Sequence, residues 1–391
     1  MLPISYSFKN VAARPMRSVM SASVIALVVI ACSLFLGLIS SLKRTVTSSG
    51  DPLNLIVMRK GSDNDGASWL PLEAYQAIRF FDGIARDSAD QPLASPELVV
   101  QPFFHTPAGG RENVLVRGVE PVALAVHSSV RIAEGRMFTP SAHEVVVGRG
   151  VAGRYIGTTL GSDLQFGHGT WKVVGILDAG GSSFESEVWV DVRELANDAK
   201  RPSPYSGLRM RAASAAELEP LMRRVDDDPR FALHAQRETE YYAKQSESAN
   251  SLYVLVIGIA VLAGIGAGFG AANSMYASVQ ARTAEIGTLR ALGFSRLAIL
   301  SAFQVEAILL AAIGFALGAV LALALSALLG VLLGGVSFNA ATFTTNVVSL
   351  RVTGHDLVAS LVLAVVIGLA GGFGPAWRAA RMRPIEALRK A

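Results

Sequence analysis

The apolar positions of this chain are concentrated in four stretches without a charged side chain, one near the start and three near the end. Each holds at least the roughly 20 apolar residues that a helix needs to cross about 30 Å of hydrocarbon. A charged, mixed segment of about 200 residues separates the first stretch from the second. The pattern predicts one membrane helix, a large water-soluble insert and three further membrane helices. The uncharged stretches are Val19–Leu42, Ser248–Ala281, Ala307–Leu350 and Leu357–Trp377.

The predicted fold class is therefore a membrane protein with four transmembrane α-helices, arranged one plus three, and a large α+β extracytoplasmic domain between the first two. The predicted segments are an amphipathic N-terminal segment (1–18), transmembrane helix 1 (19–43), the α+β domain (44–247), transmembrane helix 2 with a stalk (248–281), a short cytoplasmic helix (282–296), transmembrane helix 3 (297–334), a short external loop (335–355), transmembrane helix 4 (356–377) and a C-terminal tail (378–391).

Within the insert, runs of β-branched and aromatic residues alternate with turns rich in glycine and proline. Residues 231–247 return to a polar helical pattern, which predicts a helix that runs on into the second span as a stalk. Two further helices are expected at Leu72–Phe81 and Ala213–Val225. The predicted strands are Leu53–Met58, Glu97–Phe104, Asn113–Gly118, Glu144–Val147, Trp171–Leu177 and Glu187–Asp191.

Positive charge lies at the ends of the spans and predicts the orientation of the chain. Lys9, Arg14 and Arg17 precede the first span without an acid, arginines follow the last, and others lie between the second and third spans. By the positive-inside rule both termini and the 282–296 segment are cytoplasmic, and the insert lies outside. Residues 1–18 fit an interfacial amphipathic helix and also a frayed cytosolic tail.

Composition excludes several classes of protein. The chain is 51% hydrophobic and 17% charged with a formal net charge of +4, which gives no basic patch for nucleic acid. The single cysteine, Cys32, lies in the first span, so no disulfide can form within the chain. That span is too long for the apolar core of a signal peptide and no cleavage site follows it, so an uncleaved membrane helix is expected.

Glycine spacing inside the spans predicts close helix packing. Small-xxx-small pairs occur at Gly264/Gly268 and Gly266/Gly270 in span two, at Gly314/Gly318 in span three and at Gly368/Gly372 in span four. Two copies of the chain are expected to meet through Gly264 and Gly268. The spacing of the glycines in span two does not match a dinucleotide-binding loop, so packing is the preferred interpretation.

The sequence carries few signs of catalytic chemistry. The phosphate-binding loop of ATPases, the serine-hydrolase elbow and the common zinc motifs do not occur in it. The six histidines lack ligand spacing, and the acids of the insert form no persuasive pair. Gln304 and Glu306, near the start of span three, are expected to hydrogen-bond to the preceding loop. No catalytic residue, metal site or cofactor is therefore predicted on this chain, and the energy source is expected on another polypeptide.

The sharpest motif is the segment RTAEIGTLRALGFSR, Arg282–Arg296. Ile286, Leu289 and Leu292 recur at helical spacing beside Glu285 and Arg290, and Gly293 is placed to end a short helix. Such a helix between two spans can dock in the groove of a partner and pass on its movement. A plain interfacial helix fits the same pattern.

This segment resembles the coupling helix of the MacB/FtsX-type (type VII) ABC transporter permeases. The closing segment PAWRAARMRPIEALRKA, from Pro375, resembles the end of that family. VLVRGVEP, AEGRMF, EVVVGRGVA and WKVVGILDAGGSSFESEVWVD in the insert resemble the MacB-type periplasmic core. The order of spans agrees, so the resemblance covers nearly the whole chain. Unlike MacB itself, the sequence has no fused nucleotide-binding domain.

The resemblance implies a permease subunit that works by mechanotransmission. A separate ATPase subunit would bind ATP and Mg, a second permease chain would complete a dimer, and a periplasmic adaptor and membrane lipids are further possible partners. The implied location is the bacterial inner membrane. The residues expected to dock the ATPase are Arg282, Glu285, Ile286, Leu289, Arg290 and Leu292.

Two functions follow from the resemblance. The first is export or extraction of a substrate from outside the inner membrane. The second is an FtsX-like transducer that moves no substrate and activates a periplasmic cell-wall hydrolase or regulator. The size of the insert favours the first by analogy. A receptor or enzyme that works alone is disfavoured by the coupling-type segment and the missing catalytic set.

Overall fold

The computed structural model describes residues 15–201, 203–333, 336–339 and 345–382. The chain divides into two compact units. The helical unit contains residues up to Ser40, Ser251–Leu332 and the residues from Leu350 onward, and the sheet unit contains Ser41–Asn250 and Leu333–Ser349. Residues 1–14 of the predicted amphipathic segment and residues 383–391 of the predicted C-terminal tail lie outside the described residues.

Helices supply the whole of the helical unit and a few connections in the sheet unit. The helices are α1 (Pro15–Thr47), α2 (Leu72–Ile78), α3 (Ala123–Val126), α4 (Val192–Asp198), α5 (Leu218–Asp226), α6 (Glu238–Gln280), α7 (Thr283–Ala291), α8 (Arg296–Leu333) and α9 (Gly354–Arg381). By length and composition α1, α6, α8 and α9 are each able to cross a membrane. The predicted order of one span, an insert and three spans is confirmed.

Glycines let the spanning helices approach each other closely inside the helical unit. A Cβ on Gly314 of α8 would lie 2.8 Å from the carbonyl oxygen of Ala22, and one on Gly318 would lie 2.8 Å from that of Ala26, both in α1. A Cβ on Gly368 of α9 would lie 2.8 Å from the Cβ of Ala311 and 3.1 Å from the carbonyl oxygen of Ala307, both in α8. These pairs therefore pack backbone against backbone, as small-xxx-small spacing predicts.

Strands make up the centre of the sheet unit. They are β1 (Asn54–Arg59), β2 (Ala94–Val100), β3 (Phe103–His105), β4 (Arg111–Asn113), β5 (Leu115–Val119), β6 (Arg131–Gly135), β7 (Glu144–Gly148), β8 (Asp163–Phe166), β9 (Gly169–Asp178), β10 (Glu187–Asp191), β11 (Gly207–Arg211), β12 (Leu233–Arg237), β13 (Val336–Asn339) and β14 (Thr345–Val348). Within the described residues a ten-stranded mixed sheet has the order β12-β1-β11-β2-β5-β10-β7-β9-β6, with β8 beside β9. Only β5–β10 and β7–β9 pair in parallel within this sheet.

The sheet has two different faces. One face is an apolar core that contains Val57, Leu98, Val116, Val188 and Leu208 with the residues of α2, α4 and α5 that pack on it. The opposite face carries a second apolar cluster around Trp189, Phe184, Tyr241 and Tyr242. Because side chains alternate along a strand, the same strands supply both faces.

The helical prediction for residues 231–247 is wrong at its start. Residues Leu233–Arg237 form strand β12, which pairs antiparallel with β1, and α6 begins only at Glu238. Ladder pairing with β1 outweighs the weak local helical preference of this polar stretch. From Glu238 to Gln280 the chain is one continuous helix, as the stalk prediction requires.

The sequence analysis also missed several strands. β6, β8 and β11 were not predicted, and the predicted strand Glu97–Phe104 is split between β2 and β3. The predicted external loop contains the hairpin of β13 and β14, which belongs to the sheet unit. These strands are short, and each is defined by its partner strand more than by its own composition.

Candidate coupling site

Helix α7 is the short helix between the second and third spans, and its C-terminal end is sharply defined. Gly293 adopts a left-handed backbone with φ of 94°. The amide of Phe294 donates to the carbonyl of Leu289 at 3.2 Å, and the amide of Gly293 donates to that of Arg290 at 3.2 Å. This pair of hydrogen bonds is a Schellman motif, which a glycine at this position favours. The prediction that Gly293 ends the helix is confirmed.

Arg282 holds the start of α7 against the third span. Its guanidinium donates from Nη1 to Oε2 of Glu306 at 3.1 Å and from Nε to Oε2 of Glu285 at 3.0 Å. It also lies over the ring of Phe303, 5.3 Å from the centroid. The Arg282 side chain is only 4% exposed. Glu306 thus accepts a hydrogen bond from the loop, as predicted, whereas Gln304 donates instead to the carbonyl of Leu369 in α9.

The six residues predicted to dock an ATPase separate into a buried and an exposed set. Arg282 and Ile286 are buried, and Ile286 packs with Met275, Ile299 and Phe303 of the neighbouring helices. Their side chains hold α7 against the neighbouring helices, and a part for them in docking an ATPase stays a prediction.

The remaining four residues differ in exposure. Glu285 has 57% of its side chain exposed, and Leu292 is 72% exposed. Leu289 is half-buried, as is Arg290, whose Nη1 donates to the carbonyl of Phe294 at 2.8 Å. Of the predicted docking residues, the most exposed are therefore one carboxylate, Glu285, and one apolar side chain, Leu292.

Sequence reasoning missed two exposed neighbours of this surface. Thr288, one helical turn after Glu285, is exposed, and Leu297 at the start of α8 is 76% exposed. The spacing of three from Glu285 to Thr288 was a usable signal for a shared helix face. We call Glu285, Thr288, Leu292 and Leu297 the α7 surface.

The glycines predicted for the dimer contact already have a partner within the chain. A Cβ on Gly264 would lie 3.4 Å from Leu363 of α9, and the carbonyl oxygen of Gly268 lies 2.7 Å from the Cβ position of Gly371. Beside this contact α6 and α9 enclose an apolar groove of about 490 Å³. The dimer role of Gly264 and Gly268 stays a prediction.

A cluster of buried charges lies on the second face of the sheet. Glu97, Arg117, Glu187 and Arg209 extend from β2, β5, β10 and β11, and each is at most 3% exposed. Arg117 donates to both carboxylate oxygens of Glu187, at 2.6 and 2.7 Å, and to Glu97 at 2.9 Å. Arg209 also donates to Glu97. The missed signal was a charged side chain within each of these largely apolar strands.

The first turn of α6 closes this cluster. Glu238, fully buried, accepts from Nε of Arg209 at 3.2 Å and from the amide of Asp51 at 3.1 Å. The hydroxyl of Tyr241 donates to Oδ1 of Asp65 at 3.0 Å. The start of the long helix is therefore bonded to the middle of the sheet through groups that water does not reach.

The arrangement of charges shifts the pKa values of Asp65, Glu97 and Tyr241. Burial alone would raise the pKa of the Asp65 and Glu97 carboxyls, but Arg117 and Arg209 outweigh it and lower both. Burial, together with Asp65, raises the pKa of Tyr241 well above its ordinary value. The carboxylates are thus held ionised and the phenol neutral, which suits a structural ion cluster. Among the described residues, groups of His, Cys, Asp or Glu that could hold a metal ion do not occur.

Two family models cover most of the chain. Residues 18–228 match the MacB-like periplasmic core domain, and residues 257–384 match the FtsX-like permease C-terminal region. Both the insert and the last three spans are therefore accounted for, in the order that the resemblance predicted.

Curated relatives agree with these models. A macrolide export ATP-binding/permease protein MacB of Bradyrhizobium diazoefficiens is 28% identical over 305 residues, which is 71% of this chain and 43% of that protein. The MacB protein of Acinetobacter baylyi is 37% identical over 144 residues, 37% of this chain and 20% of that protein. The chain spans less than half the length of these relatives.

Solved structures resemble the insert more distantly. The extracellular domain of the noncanonic ABC-type transporter YknZ from Gram-positive bacteria matches 47% of this chain and 99% of that domain, at 17% identity and a TM-score of 0.37. The periplasmic region of MacB from Actinobacillus actinomycetemcomitans matches 49% of this chain and 92% of that region, at 10% identity and a TM-score of 0.39. At these scores the assignment rests on the family models.

One assignment follows from four observations: the one-plus-three order of spans, the mixed sheet between the first two spans, the short helix after the second span, and the two family models. The chain belongs to the MacB/FtsX family of ABC transporter permeases, multi-pass membrane proteins with a MacB-like periplasmic core domain and an FtsX-like permease C-terminal region.

Proposed function

We propose that this protein couples ATP hydrolysis by a separate ATPase subunit to movement of its sheet unit, for export or extraction of a substrate. One observation carries the proposal. Helix α6 has the buried charge cluster at its first turn and is followed, after Gln280, by α7 with its exposed surface. At 1.5 Å per residue its 43 residues measure about 65 Å. A continuous helix of this length transmits displacement between its ends.

The α7 surface has the properties of a docking site. Its exposed leucines, Leu292 and Leu297, are the kind of anchors that fill an apolar groove, and Glu285 adds a charge that sets orientation. On its other side, Arg282 and Ile286 fix the helix to the third span. A push on this surface is thereby passed to α6 and α8 together.

The proposed setting is the bacterial inner membrane, with both termini and α7 in the cytoplasm and the sheet unit in the periplasm. Arginines near α7 and at the end of α9 support this orientation by the positive-inside rule. The proposed partners are the ATPase, which would bind ATP and Mg, a second permease chain and a periplasmic adaptor.

A charge reversal at Glu285 tests the proposal. Glu285→Lys should reduce the amount of ATPase that co-purifies with the protein in mild detergent, because it inverts the charge of the exposed docking surface. Glu240→Lys is a matched control. Glu240 also lies three residues from an arginine on an exposed helix face, and its side chain is 59% exposed against 57% for Glu285.

The outcomes test the docking site and also distinguish between the two proposed functions. Equal ATPase recovery with both variants would overturn the assignment of the α7 surface, and recovery of no ATPase with the wild type would overturn the proposed function. Identification of the other co-purifying chains then discriminates further. A periplasmic adaptor supports export, whereas a cell-wall hydrolase supports the transducer function.

A further inference from the structure

The segment Ser182–Ser186, between β9 and β10, contacts every part of the sheet unit that leads to the helical unit. It includes a single turn of 3₁₀ helix, Ser183–Ser186, and follows Gly180 and Gly181, which adopt positive φ angles of 62° and 84°. We call it the junction segment. The chain passes between the two units four times, and the connections all belong to α1, to α6 or to the β13–β14 hairpin.

The end of the first span contacts the junction segment through a pair of serines. The hydroxyl oxygens of Ser49 and Ser183 lie 2.6 Å apart, and the amide of Ser183 donates to the Ser49 hydroxyl at 3.0 Å. Ser49 follows the end of α1 by two residues and is 3% exposed. In this contact Ser49 is buried and Ser183 is partly exposed.

The start of α6 contacts the same segment through aromatic rings. Phe184, fully buried, packs edge-to-face against Tyr242 with ring centroids 6.3 Å apart. The guanidinium of Arg117 lies over the Phe184 ring at 5.6 Å. Phe184 thus lies between the first turn of the long helix and the buried charge cluster.

The hairpin between the third and fourth spans provides the remaining contact. The amide of Val347 donates to the hydroxyl of Ser186 at 2.9 Å. On the far side, the carbonyl of Glu185 accepts from the amide of Gly150 at 2.9 Å. Glu187, the next residue, begins β10 and binds Arg117. The segment leads directly into a central strand of the sheet, which has β5 on one side and β7 on the other.

We propose that the junction segment, through Ser183, Phe184 and Ser186, is a point at which displacement of the membrane helices enters the sheet, in addition to the direct attachment of α6 to β12 and to the charge cluster. The inference rests on the proposed function, since it names where the transmitted movement arrives. Its residues are positioning residues, because they bind neither ATP nor substrate. Three connections that end on one short segment move that segment together, and β10 carries the movement into the sheet.

The test measures ATP-driven movement directly. A spin label is placed at Ala108→Cys, an exposed loop position of the sheet unit, in a Cys32→Ala background, so that the distance between the labels of two copies can be measured. The permease with its ATPase in lipid nanodiscs is compared without nucleotide and after trapping with ATP and vanadate. The triple variant Ser49→Ala, Ser183→Ala, Ser186→Ala removes the hydroxyls of the junction with little change in volume.

A matched triple variant provides the control. Ser162, Ser203 and Ser246 are also in the sheet unit, and each donates its hydroxyl to a backbone carbonyl away from the junction, at 2.8, 2.8 and 2.7 Å. Their triple replacement by alanine removes the same number of hydroxyls. ATPase recovery and tryptophan fluorescence confirm that each variant is assembled and folded.

We expect the junction variant to lose part of the ATP-dependent change in distance, because its contacts with α1 and with the β13–β14 hairpin are removed while that with α6 through Tyr242 remains. The control variant should keep the whole change. Ser49→Ala alone should lose less, because it releases one connection only. An unchanged shift in the junction variant, or an equal loss in both triple variants, would overturn the inference and leave the proposed function standing. Absence of any ATP-dependent shift in the parent protein would overturn both.

Discussion

At the scale of single residues, Arg282 shows that a charged side chain in a predicted docking motif can be buried and can hold two helices together. The resemblance of this segment to a coupling helix placed it among the residues expected to dock the ATPase. The structure buries it between Glu306 and Phe303. Its neighbour Glu285 matched the expectation of exposure. Which of these two charged side chains is buried depends on contacts with the third span. The spacing of residues along the chain does not reveal those contacts.

Removal of the buried partner should be costly. Glu306→Ala removes the buried carboxylate that pairs with the enclosed Arg282, and loss of one member of a buried ion pair typically costs about 3 kcal/mol of unfolding free energy. Thermal unfolding in mild detergent measures the change. Glu285→Ala is the control, since an exposed pair contributes about 0–1 kcal/mol. Equal midpoints for the two variants would show that the Arg282–Glu306 pair does not hold the helix.

At the scale of elements, the apolar spans and the helix-ending glycine were predictable, whereas the edge strands were not. The four uncharged stretches and Gly293 can be recognised from the local sequence alone. Strand β12 does not, because Leu233–Arg237 is polar and becomes a strand only beside β1. The hairpin of β13 and β14 was likewise read as a loop. Such elements are determined by pairing with distant residues, which a single sequence does not display.

Helix α8 offers a test of close packing between spans. Gly314→Ala should destabilise the helical unit, because the new Cβ would lie 2.8 Å from the backbone carbonyl of Ala22 and from Ile25. Gly330→Ala in the same helix meets no atom within 4 Å and should be neutral or stabilising by up to about 1 kcal/mol through helix propensity. Thermal midpoints in detergent compare them. The packing assignment fails if Gly314→Ala is tolerated as well as Gly330→Ala.

At the scale of the whole molecule, the layout and family were predictable from the sequence, and the charge cluster was not. The cluster joins residues from Asp65 to Glu238, and its members come from four strands, a 3₁₀ turn and the first turn of α6. Each charge looked isolated along the chain. Their assembly requires the strand order, which places β5 between β2 and β10.

The cluster predicts how the sheet unit responds to acid. The pKa values of Asp65 and Glu97 are lower in the folded protein than in the unfolded chain. Their stabilising contribution is therefore complete above the ordinary carboxyl pKa of about 4 and is lost as the pH falls through that value towards the folded pKa values. Fluorescence of the fully buried Trp171 and Trp189 in the full chain should report falling stability below about pH 4.

A paired substitution isolates the cluster's share of this response. Glu97→Gln should lower stability at neutral pH and flatten its decline in acid, because the titrating carboxylate is gone. Glu219, whose side chain is 54% exposed on α5, provides the control as Glu219→Gln. An acid response that Glu97→Gln leaves as steep as the wild type would assign the acid sensitivity to other carboxylates.

The unbroken length of α6 limits the kinds of motion available to this protein. From Glu238 to Gln280 the helix contains no proline, and its backbone ladder is continuous. Lengthening this helix would break several backbone hydrogen bonds at once, so its length is expected to stay constant. Under the proposed function, a displacement at residue 280 would therefore reach residue 238 as sliding, tilting or rotation of the helix and not as a change in its length.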